Sequence, residues 1–315
     1  MRFVGERNSH WVLSLLVLVA IAMQARGQTP GQIAILRWYP ANRTVTFATG
    51  KAPAGLAFDG TYVWIANAYG NTVTRLRASD GNLAGTYPVG DWPCGVAFDG
   101  AHIWVANETS NNISELRASD GTLLATYSTG VTPTGVAFDG SDIWVANSSS
   151  GTVIKLSPAG GAILATVPVA YGPRGLAFDG AHIWVTSYGS NFVTKIRASD
   201  ASVLGTYTVG AYPVAVAFDG SNIWTANSRD NTVTRLSLAG AVIGTYTVGT
   251  QPYGLVYDGA NIWVANAGSN NVTKLRAADG RLLGAFPAGS QPWAAAFDGA
   301  NIWVTNFSSN TVSKM

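Results

Sequence analysis

From residue 53 onward the chain repeats one unit seven times, and that periodicity limits the fold more than any other feature. A proline opens each unit, at Pro53, Pro93, Pro133, Pro173, Pro213, Pro252 and Pro292, spaced by 40 residues except for one step of 39. Phe-Asp-Gly follows, starting at Phe58, Phe98, Phe138, Phe178, Phe218 and Phe297, with Tyr257 replacing Phe once. A tryptophan comes next in every copy: Trp64, Trp104, Trp144, Trp184, Trp224, Trp263 and Trp303. A fixed period of this size means a repeat architecture whose units stack to bury a shared core.

Each unit reads as four strands. In the second unit, Gly95–Phe98 is a short apolar run, Asp99-Gly100 a turn, and Ile103–Ala106 a second apolar run. A polar loop follows, then alternating Asn112–Arg117, the turn Ser119-Asp120-Gly121 and a fourth run, Leu123–Ser128. Asp-Gly between apolar runs is a strong hairpin signal, because glycine takes positive φ at little cost. No amphipathic helical period appears after residue 30. Four antiparallel strands per 40 residues, seven times over, predict an all-β seven-bladed β-propeller. Strands that are apolar on both faces fit sheets covered by a neighbouring blade on each side, so the seven Trp are read as core.

The chain ends fit together. The seventh unit stops at Met315 in its third strand, and residues 44–49 resemble the missing fourth: Thr46-Phe-Ala-Thr-Gly50 matches Ala285-Phe-Pro-Ala-Gly289. Leu36-Arg37 stands 17 residues before Pro53, as Leu275-Arg276 does before Pro292. The N-terminal strand is therefore expected to complete the last blade and remove its exposed edges. Ile33–Leu36 also resembles a third strand, duplicating Thr311–Met315, and only one of the two can fill that place.

Residues 1–27 have the three parts of a secretory signal peptide. Arg2 and Arg7 form a basic start, Trp11–Met23 is apolar apart from Ser14, and Ala25-Arg-Gly27 places small residues at a cleavage site. The run is short for a spanning helix, which needs about 20 residues, although an uncleaved anchor is the competing reading. The mature domain, residues 28–315, is expected to be secreted or periplasmic, without a membrane span, and monomeric. The whole chain carries 19 basic and 17 acidic residues, and loss of Arg2, Arg7, Arg26 and Glu6 with the leader cancels the net charge. Such a chain is not steered to nucleic acid. A single cysteine, Cys94, excludes an intrachain disulfide and a paired-Cys zinc site.

The unit P-x-G-[LV]-A-F-D-G-x-x-I-W-V-A-N-x-x-x-N-x-V-T-K-L resembles the YVTN-repeat β-propeller family, with related NHL-type repeats. The match covers residues 53–315 in full and 33–52 in part. Propellers of this kind include extracytoplasmic binding proteins, gluconolactonase-like metal hydrolases and streptogramin lyases, so the resemblance implies a fold more than a task. The streptogramin lyase resemblance implies a His pair with magnesium near the central channel. Only His102 and His182 follow the leader. Both sit just after Asp-Gly-Ala in non-adjacent blades, poorly placed to share a metal or proton, and are read as surface turn residues. The repeated Asp59, Asp99, Asp139, Asp179, Asp219, Asp258 and Asp298 would suit calcium, but an Asp before Gly bonds its own turn, and identity in all seven copies points to structure. No cofactor and no catalytic residue is expected.

A ligand site should lie where the copies differ. The largest differences flank the opening Pro and fill the loop between the second and third strands, where Tyr69, Glu108, Tyr188, Arg229 and Phe307 stand. In a four-stranded meander these two loop classes share one face. Neutral drift of exposed loops explains such variation equally well. On the binding reading, the candidates are Trp92, Arg174, Tyr212, Arg229, Tyr253 and Trp293. The expected function is a non-enzymatic scaffold that binds a protein, glycan or small molecule through this face. A metal-dependent hydrolase or lyase with a channel site is the alternative.

Overall fold

The structure, a computed structural model, describes residues 44–315; the leader and Ile33–Leu36 lie outside the described residues. Each repeat folds into one antiparallel sheet whose four strands follow chain order. In the first blade they are Pro53–Phe58, Tyr62–Asn67, Thr72–Arg77 and Leu83–Pro88. The seven innermost strands touch in a closed cycle, the last against the first. The last sheet combines Pro292–Phe297, Ile302–Asn306 and Thr311–Lys314 with Val45–Ala48 from the other end of the chain. Thr311–Lys314 thus fills the third-strand place. The closing strand is one residue shorter at each end than residues 44–49; past its C-terminal end Thr49 N–H bonds the turn carbonyl of Asn310.

The second strands are buried on both faces because each is sandwiched between blades. Trp64 and Val73 of the first blade pack with Ile103, Val105 and Leu116 of the second. Fully burying such aliphatic and aromatic side chains contributes roughly 1.5–3 kcal/mol each. An aromatic of the outer strand lies against most of these Trp: Tyr87 on Trp64 at 5.6 Å and Tyr127 on Trp104 at 5.9 Å between centroids. Phe47 takes that place on Trp303 at 5.5 Å, so the closing strand supplies side-chain packing as well as backbone bonds.

One exception shows how neighbouring blades fit. In five blades a turn glycine rests on the outer-strand aromatic of the blade before it; a Cβ on Gly81 would lie 2.0 Å from the Phe47 ring. The third blade carries Val167 where other blades have an aromatic, and the next turn then has Ala201, at a φ of 59°. The smaller neighbour leaves room for the methyl group.

The conserved-looking Asp binds more than its turn. Asp59 Oδ1 accepts the backbone N–H of Thr61 and Tyr62 at 2.8 and 2.7 Å, and Oδ2 accepts Trp64 Nε1–H at 2.7 Å. The indole bond recurs in every blade at 2.7–2.8 Å. Burial alone would raise these carboxyls, but the indole and turn donors outweigh it, leaving Asp99, Asp179, Asp258 and Asp298 below the usual range. A third-strand cation closes the arrangement. Lys155 Nζ lies 5.5 Å from the Trp144 ring and donates to Ala198 O of the next blade at 2.8 Å. Arg75, Lys195, Arg235 and Lys314 reach the next blade in the same way. Glu115 breaks the series and accepts Tyr127 O–H instead.

Candidate functional site

The loop face has its own repeated backbone device. The residue before each opening Pro adopts positive φ: Ala52, Trp92, Thr132, Gly172, Tyr212, Gln251 and Gln291. In every case but Gly172 its N–H is held by an Asn from the preceding blade. Asn71 Oδ1 accepts from Trp92 N at 3.1 Å, Asn111 from Thr132 N at 2.8 Å and Asn191 from Tyr212 N at 3.3 Å. These Asn are themselves left-handed, which Asn tolerates better than most residues. The backbone is therefore fixed while the side chain before Pro is free to differ. Trp92 and Tyr212, bulky residues in a conformation that favours glycine, are held there by this latch.

The position after Pro faces the mouth of the central channel. The next position is Gly or Ala throughout, and it must be small: a Cβ on Gly55 would lie 1.9 Å from Cys94 O. This close approach draws the innermost strands together around a cavity of about 130 Å³. Its lining comes from all seven blades, through Gly55, Cys94, Gly95, Glu108, Thr134, Arg174, Val214, Tyr253, Trp293 and Ala294.

Aromatic groups surround this mouth as a connected arc. Tyr253 and Trp293 have centroids 4.0 Å apart, and Trp293 stacks on Phe307 at 4.8 Å. Phe307 meets Tyr69 edge-on at 5.5 Å, and Tyr69 meets Trp92 at 4.8 Å. The Arg174 guanidinium lies 4.8 Å from the Tyr253 centroid and 5.7 Å from that of Trp293. Four of the six expected residues thus belong to one chain of contacts. Tyr212 and Arg229 form a separate group, with Arg229 5.6 Å from the Tyr212 ring and Tyr188 at 5.9 Å. Tyr69 and Phe307 bridge Trp92 to the mouth, and Glu108 lines it. The sequence marked all three as variable loop positions but gave no reason to prefer them.

The electrostatics of the mouth are uneven. Burial raises the Glu108 carboxyl, and the charge of Arg174 only partly offsets that. Burial, reinforced by the Glu108 charge, pushes the Cys94 thiol up to about 12. Cys94 Sγ sits 3.4–3.5 Å from the carbonyls of Ala106, Pro133 and Thr134, just as Thr134 Oγ1 contacts Ala146 O and Pro173 O one blade on. A thiol held neutral in this way is a packed structural group, not a nucleophile.

His102 and His182 open second strands, at the end of the blades opposite the mouth. His102 Nδ1 lies 3.3 Å from Asp99 and 3.5 Å from Glu115, and His182 Nδ1 lies 3.1 Å from Asp179. The His pair and magnesium implied by the lyase resemblance do not fit these residues, since neither His reaches the mouth. Among the described residues no group of three or more His, Cys, Asp or Glu side chains is arranged to hold a metal ion.

Seven four-stranded blades closed by both chain ends define a seven-bladed β-propeller. No family model and no curated protein matches the chain. Among solved structures it is similar to virginiamycin B lyase from Staphylococcus aureus, determined with quinupristin, at 17% identity and a TM-score of 0.76, over 86% of this chain and 98% of that one. A streptogramin B lyase structure matches at 18% identity and a TM-score of 0.75, over 86% and 96%. Kuenenia stuttgartiensis hydrazine synthase matches at 19% identity and a TM-score of 0.72, over 84% and 95%. At these identities the likeness is one of fold. No helix among the described residues is long and apolar enough to cross a membrane.

Proposed function

We propose that this propeller is a binding protein whose ligand docks at the loop-face channel mouth. The observation that carries the reading is the continuous arc Trp92–Tyr69–Phe307–Trp293–Tyr253, ending on Arg174 beside a cavity lined by all seven blades. Tyr69 and Trp92 remain exposed there, a use of aromatic surface that a fold held together elsewhere does not need. Aromatic walls with a few polar groups are the usual make-up of small-ligand sites. The signal-peptide-like leader supports binding outside the cytoplasm, and the repeat pattern supports kinship with YVTN-type propellers. The lyase reading has the fold likeness behind it but lacks a His pair at the mouth.

A small-molecule library screened by thermal shift against wild type and the Trp92→Ala/Tyr253→Ala/Trp293→Ala variant tests this. Ligands that stabilise wild type and not the variant support the reading. Ligands that stabilise both equally contradict it.

A further inference from the structure

Arg174 differs from the basic side chains that tie the blades together, and although Lys51, Arg229, Lys274 and Arg281 also lack an acceptor among the described residues, none of them lines the cavity at the mouth. Arg75, Lys155, Lys195, Arg235 and Lys314 each donate to a neighbouring carbonyl, and Arg77, Arg117, Arg197 and Arg276 each pair with an Asp. Arg174 has no such acceptor among the described residues. Glu108 shares its cavity, yet neither residue takes part in an ion pair. Its guanidinium is partly buried against the Tyr253 and Trp293 rings, leaving a planar fork of donors at the cavity. An unpaired cation in such a place is costly, and a carboxylate is the partner whose geometry matches the fork.

Resting on the reading that ligands dock at this mouth, we infer that the ligand is a small ring-bearing carboxylate: Arg174 pairs with its carboxylate, and Trp293, Phe307 and Tyr69 stack its ring. The cavity supports a division of labour. At about 130 Å³ it is well below the roughly 300–1,000 Å³ of sites that enclose a drug-sized ligand. It has room for a few water volumes of about 30 Å³ each, enough for a carboxylate and its nearest carbons. The rest of the ligand must lie outside, along the arc. A cationic ligand is disfavoured because Arg174 already occupies the aromatic faces with positive charge.

The test is calorimetric titration of the purified protein with three acids, benzoate, indole-3-carboxylate and galacturonate, against the neutral benzamide, indole-3-carboxamide and galactose, and the cationic benzylamine. The two aromatic acids and the sugar acid distinguish a flat ring from a saccharide ring. At least one acid should bind tenfold or more tightly than its neutral partner. Arg174→Met should remove that preference with a loss of roughly ten- to hundredfold, the range of a charge-assisted hydrogen bond. Arg174→Lys, which keeps the charge but loses the fork, should recover only part of it. Circular dichroism confirms that each variant is folded. If neutral partners bind as well as acids and Trp293→Ala still weakens them, the carboxylate inference is wrong while the site stands. If acids bind and neither Arg174→Met nor Trp293→Ala matters, both fall. Tighter binding of benzylamine, or no binding by any acid, overturns the inference, and the library screen then judges the site alone.

Discussion

The two ends of the blades are built from the same strands yet differ in what varies. At the turn end, an Asp accepts two turn N–H groups and an indole N–H in blade after blade, and a third-strand cation caps the same Trp. At the loop end, the backbone is equally repetitive, but the side chains around each opening Pro are not. Seven copies of one polar arrangement offer a partner nothing to select. Seven different side chains around one mouth do. The comparison teaches that one end ties the blades together through repeated side chains, while the other ties them through a backbone latch that leaves its side chains free to differ.

The largest expected effect lies in the repeated core. Trp144→Ala should cost about 3–5 kcal/mol, as truncating a buried Trp does, and denaturant unfolding would measure it. A cost below 1 kcal/mol would break the claim that stability resides in the shared Trp layer. Next comes the carboxylate. Asp179→Ala removes the acceptor of the buried Trp184 indole N–H and of two turn N–H groups, and should cost about 1–3 kcal/mol. The same carboxyls predict the acid response. Their folded pKa lies below the unfolded value, so their stabilisation is complete above about pH 4 and is lost as pH falls through the folded value. Unfolding midpoints measured down to pH 2 in wild type and Asp179→Ala should converge.

A gain of function sharpens the view of the loop-end latch. Gly151 stands where other blades have a left-handed Asn, with a φ of 62°, and nothing crowds a Cβ there beyond Val169 O at 3.8 Å. Gly151→Asn should latch Gly172 N–H as Asn111 latches Thr132, adding about 0.5–1 kcal/mol in thermal or denaturant unfolding. No gain would mean that the latch is incidental.

The smallest effect is at Glu108. Its folded pKa is raised, so the folded state binds more protons than the unfolded one between the usual Glu range and that raised value, and stability falls as pH climbs through this window. Glu108→Gln should therefore melt slightly above wild type at neutral pH and level with it at pH 3–4, the opposite trend to the turn-end aspartates.

Period and pattern made the fold legible. Seven Pro, seven Asp-Gly turns and the match of residues 46–50 to 285–289 gave blade count and ring closure, because each is a local signal repeated in register. The turn role of the Asp was readable from the following Gly; its bond to the indole was not, since it depends on the hairpin bringing residues five apart face to face. At the loop face, variation singled out these positions but could not order them. Trp92 joins Trp293 only through Tyr69 and Phe307, and Arg174 meets Tyr253 across the channel from a blade two positions away. Such contacts depend on ring geometry, which no local spacing encodes. Nor does their place in variable loops reveal that Tyr253 and Trp293 are half-buried, Trp293 against a small cluster around Ala52 and Ala54.

The central claim is tested most directly by measuring melting temperature and acid-probe affinity together for Trp144→Ala and Trp293→Ala. Trp144→Ala should lower the melting temperature by roughly 6–20 °C, given about 2–4 °C per kcal/mol for a chain of this size, and keep the probe affinity below its melting point. Trp293→Ala should melt within a few degrees of wild type and lose the probe by tenfold or more. A Trp293→Ala protein that binds the probe as wild type does, or that melts as low as Trp144→Ala, would contradict the division between the two ends.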